Sequence, residues 1–150
     1  LARHPSGWKR DIAAEFFNDE RDFYFGDQEE SGLGVRVASP LRVQGGSGRI
    51  TNSLGEVNYA GTWGHEAAWW DYSGTLDGKP CGLFVQPHAT NPRPCWGHTR
   101  DYGVMVINPF PRQPKERREP YVKTVVKKGD RFRLGYTVIV HEGAFQPARH

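Results

Sequence analysis

The stretch Arg131-Phe132-Arg133-Leu134-Gly135-Tyr136-Thr137-Val138-Ile139-Val140 decides the fold. Phe132, Leu134, Tyr136, Val138 and Val140 recur at every second residue, opposite Arg131, Arg133 and Thr137. Successive side chains of a strand point to opposite faces, so this alternation marks a half-buried β-strand and not a helix. The same period runs through Leu33, Val35 and Val37 against Gly34, Arg36 and Ala38. It returns in Tyr102, Val104 and Val106, and in Val122, Thr124 and Val126. Turn residues fall between these runs. Asp77-Gly78 separates residues 68–75 from 79–87 and reads as a hairpin turn, and Lys128-Gly129-Asp130 separates the last two strands in the same manner. Gln44 to Gly48 reads as a flexible loop, Asn91-Pro92-Arg93-Pro94 as a stiffer one, and residues 109–120 as an exposed excursion. With 18 Gly and 11 Pro breaking the chain, only residues 11–18 could form a helix, and a short one. About eight short strands with turns between them define an all-β chain, an antiparallel β-sandwich or barrel. The expected division is an N-terminal segment, partly irregular, over residues 1–22, a β-sandwich domain over 23–143 and a tail over 144–150.

The 150 residues suit one domain. Mean hydropathy is low, at −0.70, but aromatics at 13% supply large rings to bury, so the chain as a whole is not disordered. The longest largely apolar run, residues 136–140, is far short of the roughly 18 residues that span a bilayer. No basic start followed by an apolar stretch marks a signal peptide, so a soluble protein is expected, with its compartment open. The net charge is +3, and acids interrupt every basic cluster, including Lys115-Glu116-Arg117-Arg118-Glu119. No basic stripe for nucleic acid results. Cys81 and Cys95 can form a disulfide only if the fold brings their Cα atoms within about 7 Å. His65, Glu66, His88, Cys95 and His98 lack metal-ligand spacing, and no phosphate-loop, dinucleotide or serine-hydrolase motif is present, so neither a metal nor a cofactor is expected.

Five polar clusters carry the candidate chemistry. Glu29 or Glu30, in Asp27-Gln28-Glu29-Glu30, can act as general base near Arg36, although neighbouring carboxylates point apart and are not expected to work as a pair. Trp69, Asp71 and Ser73 share one strand face, an indole beside a carboxylate and a hydroxyl, which suits a sugar; the competing expectation is that the Trp residues are core. His88, Asn91 and Arg93 sit on the proline-stiffened loop. Trp96-Gly97-His98-Thr99-Arg100-Asp101-Tyr102 follows, with Arg100 and Tyr102 expected on one strand face. An imidazole there can give or take a proton near neutral pH. Asn108 closes a strand in Asn108-Pro109-Phe110.

In order, these stretches resemble a known bacterial family. The residues from Phe25-Gly26-Asp27-Gln28-Glu29-Glu30-Ser31-Gly32 through Ala38, then Trp69-Trp70-Asp71-Tyr72-Ser73-Gly74, then His88 to Pro94, carry the likeness. Trp96, Arg100-Asp101-Tyr102-Gly103, Asn108-Pro109-Phe110 and a closing strand ending at His141 continue it. The chain resembles the family catalogued as "methane oxygenase PmoA", from about Phe23 to Gly143. That resemblance implies a supersandwich similar to galactose mutarotases, of which this chain is a partial one, and a saccharide ligand. It also implies that a second chain or an N-terminal half helps complete the site. The expected function is acid/base chemistry on a sugar, as epimerisation, lyase or hydrolase action. His88 or His98 would serve as acid and Glu29 or Glu30 as base. Arg36, Arg100 and Asn91 would orient the substrate and Trp69 or Trp96 stack on it, with Asp71, Tyr102 and Asn108 also in the binding set. The competitor is a non-catalytic glycan-binding or assembly module, and a metal-dependent oxygenase is the least favoured class.

Overall fold

A computed structural model describes residues 1–111 and 122–145. Most of the proline-rich excursion, the Lys115–Glu119 cluster and residues 146–150 of the tail lie outside the described residues. The decisive stretch forms the last strand, Arg131–Glu142, which is 12 residues long. In chain order the strands are β1 (Ala2–His4), β2 (Gly7–Phe17), β3 (Phe23–Gly26), β4 (Leu33–Arg36), β5 (Arg49–Asn52), β6 (Trp70–Leu76), β7 (Lys79–Pro87), β8 (Trp96–Arg100), β9 (Val104–Asn108), β10 (Lys123–Val126) and β11 (Arg131–Glu142). Among the described residues one short helix, α1 (Asn58–Thr62), and a 3-10 turn at Ser39–Leu41 interrupt them. The protein is an all-β antiparallel sandwich. A six-stranded sheet of order β1-β2-β11-β7-β6-β5 packs on a three-stranded sheet of order β4-β9-β8, with the β10-β3 pair beside them.

Alternation decides what fills the interior. Leu134 and Tyr136 of β11, Trp70 and Tyr72 of β6 and Val85 of β7 turn inward from the large sheet and meet Met105 and Ile107 from β9. The Tyr136 hydroxyl donates to the Ile107 carbonyl at 3.3 Å, which ties the two layers together. Phe25, Phe110 and Phe132 extend this core towards β3, with Phe25 stacked on Phe110 at 4.7 Å between ring centroids. The hairpin at Asp77-Gly78 is as expected: both residues have positive φ, 51° and 75°, as a two-residue primed turn requires.

Two expectations fail. Residues 11–18 are not helical, because residues 7–17 form β2 and pair with β11 in continuous register from His141↔Gly7 to Arg131↔Phe17. The N-terminal residues 2–4 and 7–17 are thus regular strands of the main sheet. Helix propensity in Ala13-Ala14-Glu15 is worth tenths of a kcal/mol per residue and yields to a full ladder on a long neighbour. The turn at Lys128-Gly129-Asp130 forms, but it does not close a hairpin. It sends β10 to pair with β3 and β11 into the large sheet.

The inner contact between β8 and β6 is close. A Cβ on Gly97 would lie 2.5 Å from Trp70 Nε1 and 3.0 Å from Trp70 Cε2, and Trp70 is fully enclosed. Gly97→Ala is therefore expected to destabilise the fold by about 1–3 kcal/mol, the range for overpacking. The midpoint of urea unfolding reads this directly, and an unchanged midpoint would mean that the two sheets are not held at this spacing.

Candidate functional site

β8 turns Gly97 and Thr99 inward, against Trp70 and Thr62, and Trp96, His98 and Arg100 outward. Its register places Trp96 opposite Asn108, His98 opposite Val106 and Gly34, and Arg100 opposite Val104 and Arg36. Residues directly opposite one another share a face, so Trp96, His98, Arg100, Asn108 and Arg36 lie together on the outer face of the small sheet. Asn108 then anchors the acidic loop. Its Nδ2 donates to the carbonyls of Gln28 at 2.7 Å and Glu29 at 3.2 Å, while its Oδ1 accepts from Phe110 N at 2.8 Å. Asn108 therefore holds the loop by its backbone.

This anchoring brings Glu29 and Glu30 to the same imidazole. Glu29 Oε2 lies 3.5 Å from His98 Nδ1 and Glu30 Oε1 lies 3.8 Å from His98 Nε2. The two carboxylates point to different sides of the ring, and each faces one ring nitrogen. The His98 side chain is 1% exposed, whereas that of Glu30 is 76% exposed. Among the described residues both ring nitrogens of His98 are buried without a hydrogen bond. A buried polar group in that state costs about 1–3 kcal/mol, so its retention calls for a role. Burial, and then the Arg100 charge, hold the ring below its ordinary value, and Glu29 and Glu30 oppose them. The ring is thus neutral near pH 7.

The sign of the linked stability follows. Below about pH 6.5 the unfolded chain protonates this histidine before the folded one does, so it binds more protons. Stability falls as the pH drops below that value, until the folded ring also protonates. Subtracting the same curve for His98→Leu isolates this contribution, and a difference that is flat from pH 7 to 5 would contradict it.

Arg100 bridges the acidic bracket and an aromatic wall. Its Nη2 donates to Glu29 Oε2 at 3.3 Å, and its guanidinium lies 5.1 Å from the Tyr59 ring centroid and 5.6 Å from that of Trp63. Tyr59 lies on α1 and Trp63 caps its C-terminal end, and Tyr59 N donates to Asp101 Oδ1 at 2.9 Å. Neither Tyr59 nor Trp63 was expected in the site. The available signal was their spacing of four residues, which on a helical turn places both rings on one side.

The other expected residues lie elsewhere. His88 packs over Gly135 on the outer face of the large sheet, with Nε2 3.2 Å from Thr137 Oγ1 and 3.8 Å from Asp11 Oδ1. His88 and His98 thus occupy opposite outer faces of the sandwich and do not converge. Asn91 holds both backbone groups of Gly135, accepting from its N–H at 2.7 Å and donating to its carbonyl at 3.0 Å, so it fastens the stiff loop to β11. Trp69 and Asp71 do share a face, but that face is paved. Asp71 is buried against His141 Nε2 at 2.8 Å, His141 Nδ1 donates to the Gly143 carbonyl at 3.0 Å, and Phe84 and Phe145 cover the pair. Trp69 leans on Phe84 at 5.6 Å, and Trp70 is core. Tyr102 lies in the turn between β8 and β9, exposed, and so does not extend the Arg100 face. Cys81 and Cys95 are free, and burial pushes the Cys95 thiol up to about 11, which leaves it protonated and inert. Trp96 is almost fully buried, and its indole N–H donates to the Phe110 carbonyl at 2.8 Å.

Among the described residues the shortest histidine–carboxylate contact joins His65 Nδ1 to Glu56 Oε1 at 2.6 Å, with Asn52 Nδ2 donating to Glu56 Oε2 at 2.7 Å. Those bonds, the Asn52 one first, hold the Glu56 carboxyl below its ordinary value. Beside Trp96 runs a cleft of about 540 Å³, and a second of about 610 Å³ lies on the His88 side of the stiff loop. Among the described residues no group of three or more His, Cys, Asp or Glu is arranged to hold a metal ion, and no helix is long and apolar enough to cross a membrane.

Fold and site together define the class: an antiparallel β-sandwich with a histidine–carboxylate cluster on the outer face of its smaller sheet. The chain belongs to the Family of unknown function DUF6807, which it matches over residues 2–150. No curated protein and no solved structure matches it significantly.

Proposed function

We propose that this protein is a soluble, carbohydrate-active β-sandwich that performs acid/base chemistry on a sugar at the His98 cluster. The observation that carries this is His98 itself, buried, with each ring nitrogen, unbonded among the described residues, facing a carboxylate at 3.5 and 3.8 Å. Glu30 is the exposed member of the bracket and takes the proton from the anomeric hydroxyl. Its outward swing uncovers His98 Nε2, whose N–H hydrogen-bonds the negative charge that forms on the ring oxygen as its bond to the anomeric carbon breaks, and Glu30 returns the proton it took to that oxygen. Glu29, paired to Arg100, fixes the ring from the other side, and Tyr59 and Trp63 offer the apolar wall on which a pyranose stacks. Arg36, exposed on the same face, reaches the far edge of the ligand. The resemblance of the sequence motifs to the family catalogued as methane oxygenase PmoA implies a mutarotase-like sandwich and so supports epimerisation, with lyase or hydrolase action drawing on the same proton transfers. No step in this scheme uses a cofactor.

A non-catalytic glycan-binding module is the second reading. It draws support from the outer position of the aromatic wall, since stacking serves recognition and catalysis alike. Titration with monosaccharides and uronic acids, followed by the ring signals of His98, Tyr59 and Trp63, tests the site. Shifts confined to these rings are expected. Saturable shifts at Trp69 and His88 alone would place the ligand on the large sheet and overturn the assignment.

A further inference from the structure

The two clefts have Glu66, Arg93 and Pro94 in common among their lining residues, so they adjoin at the edge of the sandwich and can be followed by one extended ligand as a single groove. One end is lined by Trp96 and Phe110, on the His98 side, where the Trp96 and His98 rings are 6.5 Å apart. The other end reaches His88 and Gln86 on the large sheet. Glu66 is fixed by its backbone bridge to Trp96, and Arg93 by the prolines on either side. Neither side chain makes a hydrogen bond or ion pair with the described residues, although a carboxylate and a guanidinium line the same groove. The wall between them does not move easily, because Asn91 ties the loop to Gly135 with two hydrogen bonds.

An anionic ligand would meet Glu66 and a cationic one Arg93, whereas a neutral polyhydroxylated chain donates to the first and accepts from the second. The proline faces supply the apolar contact such a chain also needs. Each cleft alone has the volume of a whole small-molecule site, so the pair exceeds what one sugar ring fills. From this we infer that the groove is an extended subsite for a neutral oligosaccharide, whose terminal ring reaches the His98 cluster while the following rings lie along Glu66 and Arg93. The inference rests on the carbohydrate reading above and narrows its substrate from monosaccharides to oligosaccharides.

The test is a binding series on glucose-, xylose- and galactose-based glycans graded from monosaccharide to hexasaccharide, with the unmodified chain, Arg93→Ala and Glu66→Gln. Affinity is expected to rise with chain length by about tenfold or more, the yield of one charge-assisted hydrogen bond or more. Either substitution should bring the longer glycans back to the monosaccharide value while leaving monosaccharide binding and the melting temperature unchanged. Binding that ignores length, or a length effect that both variants retain, overturns the subsite and leaves the His98 reading standing. No binding at any length overturns both.

Discussion

Replacing His98 by Ala is expected to slow the exchange of a bound sugar between its anomers by at least tenfold, within the roughly 10²–10⁴-fold that a positioned acid or base contributes. The fold should survive. His98 lies on the outer face of the small sheet, away from the Trp70–Ile107 core, and among the described residues neither of its ring nitrogens makes a hydrogen bond that its loss would orphan. His98→Leu keeps the volume and removes the proton chemistry, so it should match His98→Ala in rate and equal or exceed the parent in stability. A rate lost in both variants with stability kept in the second assigns the ring to chemistry. Rates that follow stability instead would make His98 structural. Glu30→Gln should behave like the His98 variants in rate, because the exposed carboxylate is the one a substrate hydroxyl can reach.

The second large effect concerns Asp71, and it runs the other way. Asp71→Ala is expected to cost about 3–5 kcal/mol of stability, because it leaves the fully buried His141 ring without its carboxylate partner. For a chain of this size that lowers the melting temperature by on the order of 10 °C. Saccharide binding, measured well below that temperature, should be unchanged, since the Asp71–His141 pair is covered by Phe84 and Phe145. Replacing both partners with Leu should restore much of the loss, as apolar replacement of a buried pair often does. A variant of normal stability that has lost sugar binding would return Asp71 to the site.

These two residues show what the sequence could reveal. Alternation in β11 and β4 placed Phe132, Leu134, Leu33 and Val35 correctly, because a period of two needs no tertiary information. The Asp77-Gly78 turn was equally local. The same alternation put Trp69, Asp71 and Ser73 on one face, yet it carried no word on whether that face was open. Phe84, His141 and Phe145 close it, and they come from other parts of the chain. β2 is not legible in the sequence for a related reason: its strand state comes from β11, more than a hundred residues away. At the site, His98, Glu29, Glu30, Arg100, Arg36, Trp96 and Asn108 were all legible as chemistry, but not their shared face. That depended on the β4-β9-β8 register and on Asn108 gripping the backbone of the acidic loop. His88 and Asn91 looked equally chemical, and the strand order sends them to the opposite face.

The most direct test of the central claim is exchange NMR of reducing mono- and oligosaccharides with catalytic amounts of the purified chain, run beside His98→Ala. The account predicts anomeric exchange faster than in buffer for at least one sugar, and loss of that acceleration in the variant. An acceleration that His98→Ala retains in full, or no acceleration and no binding with any sugar of the series, would contradict it.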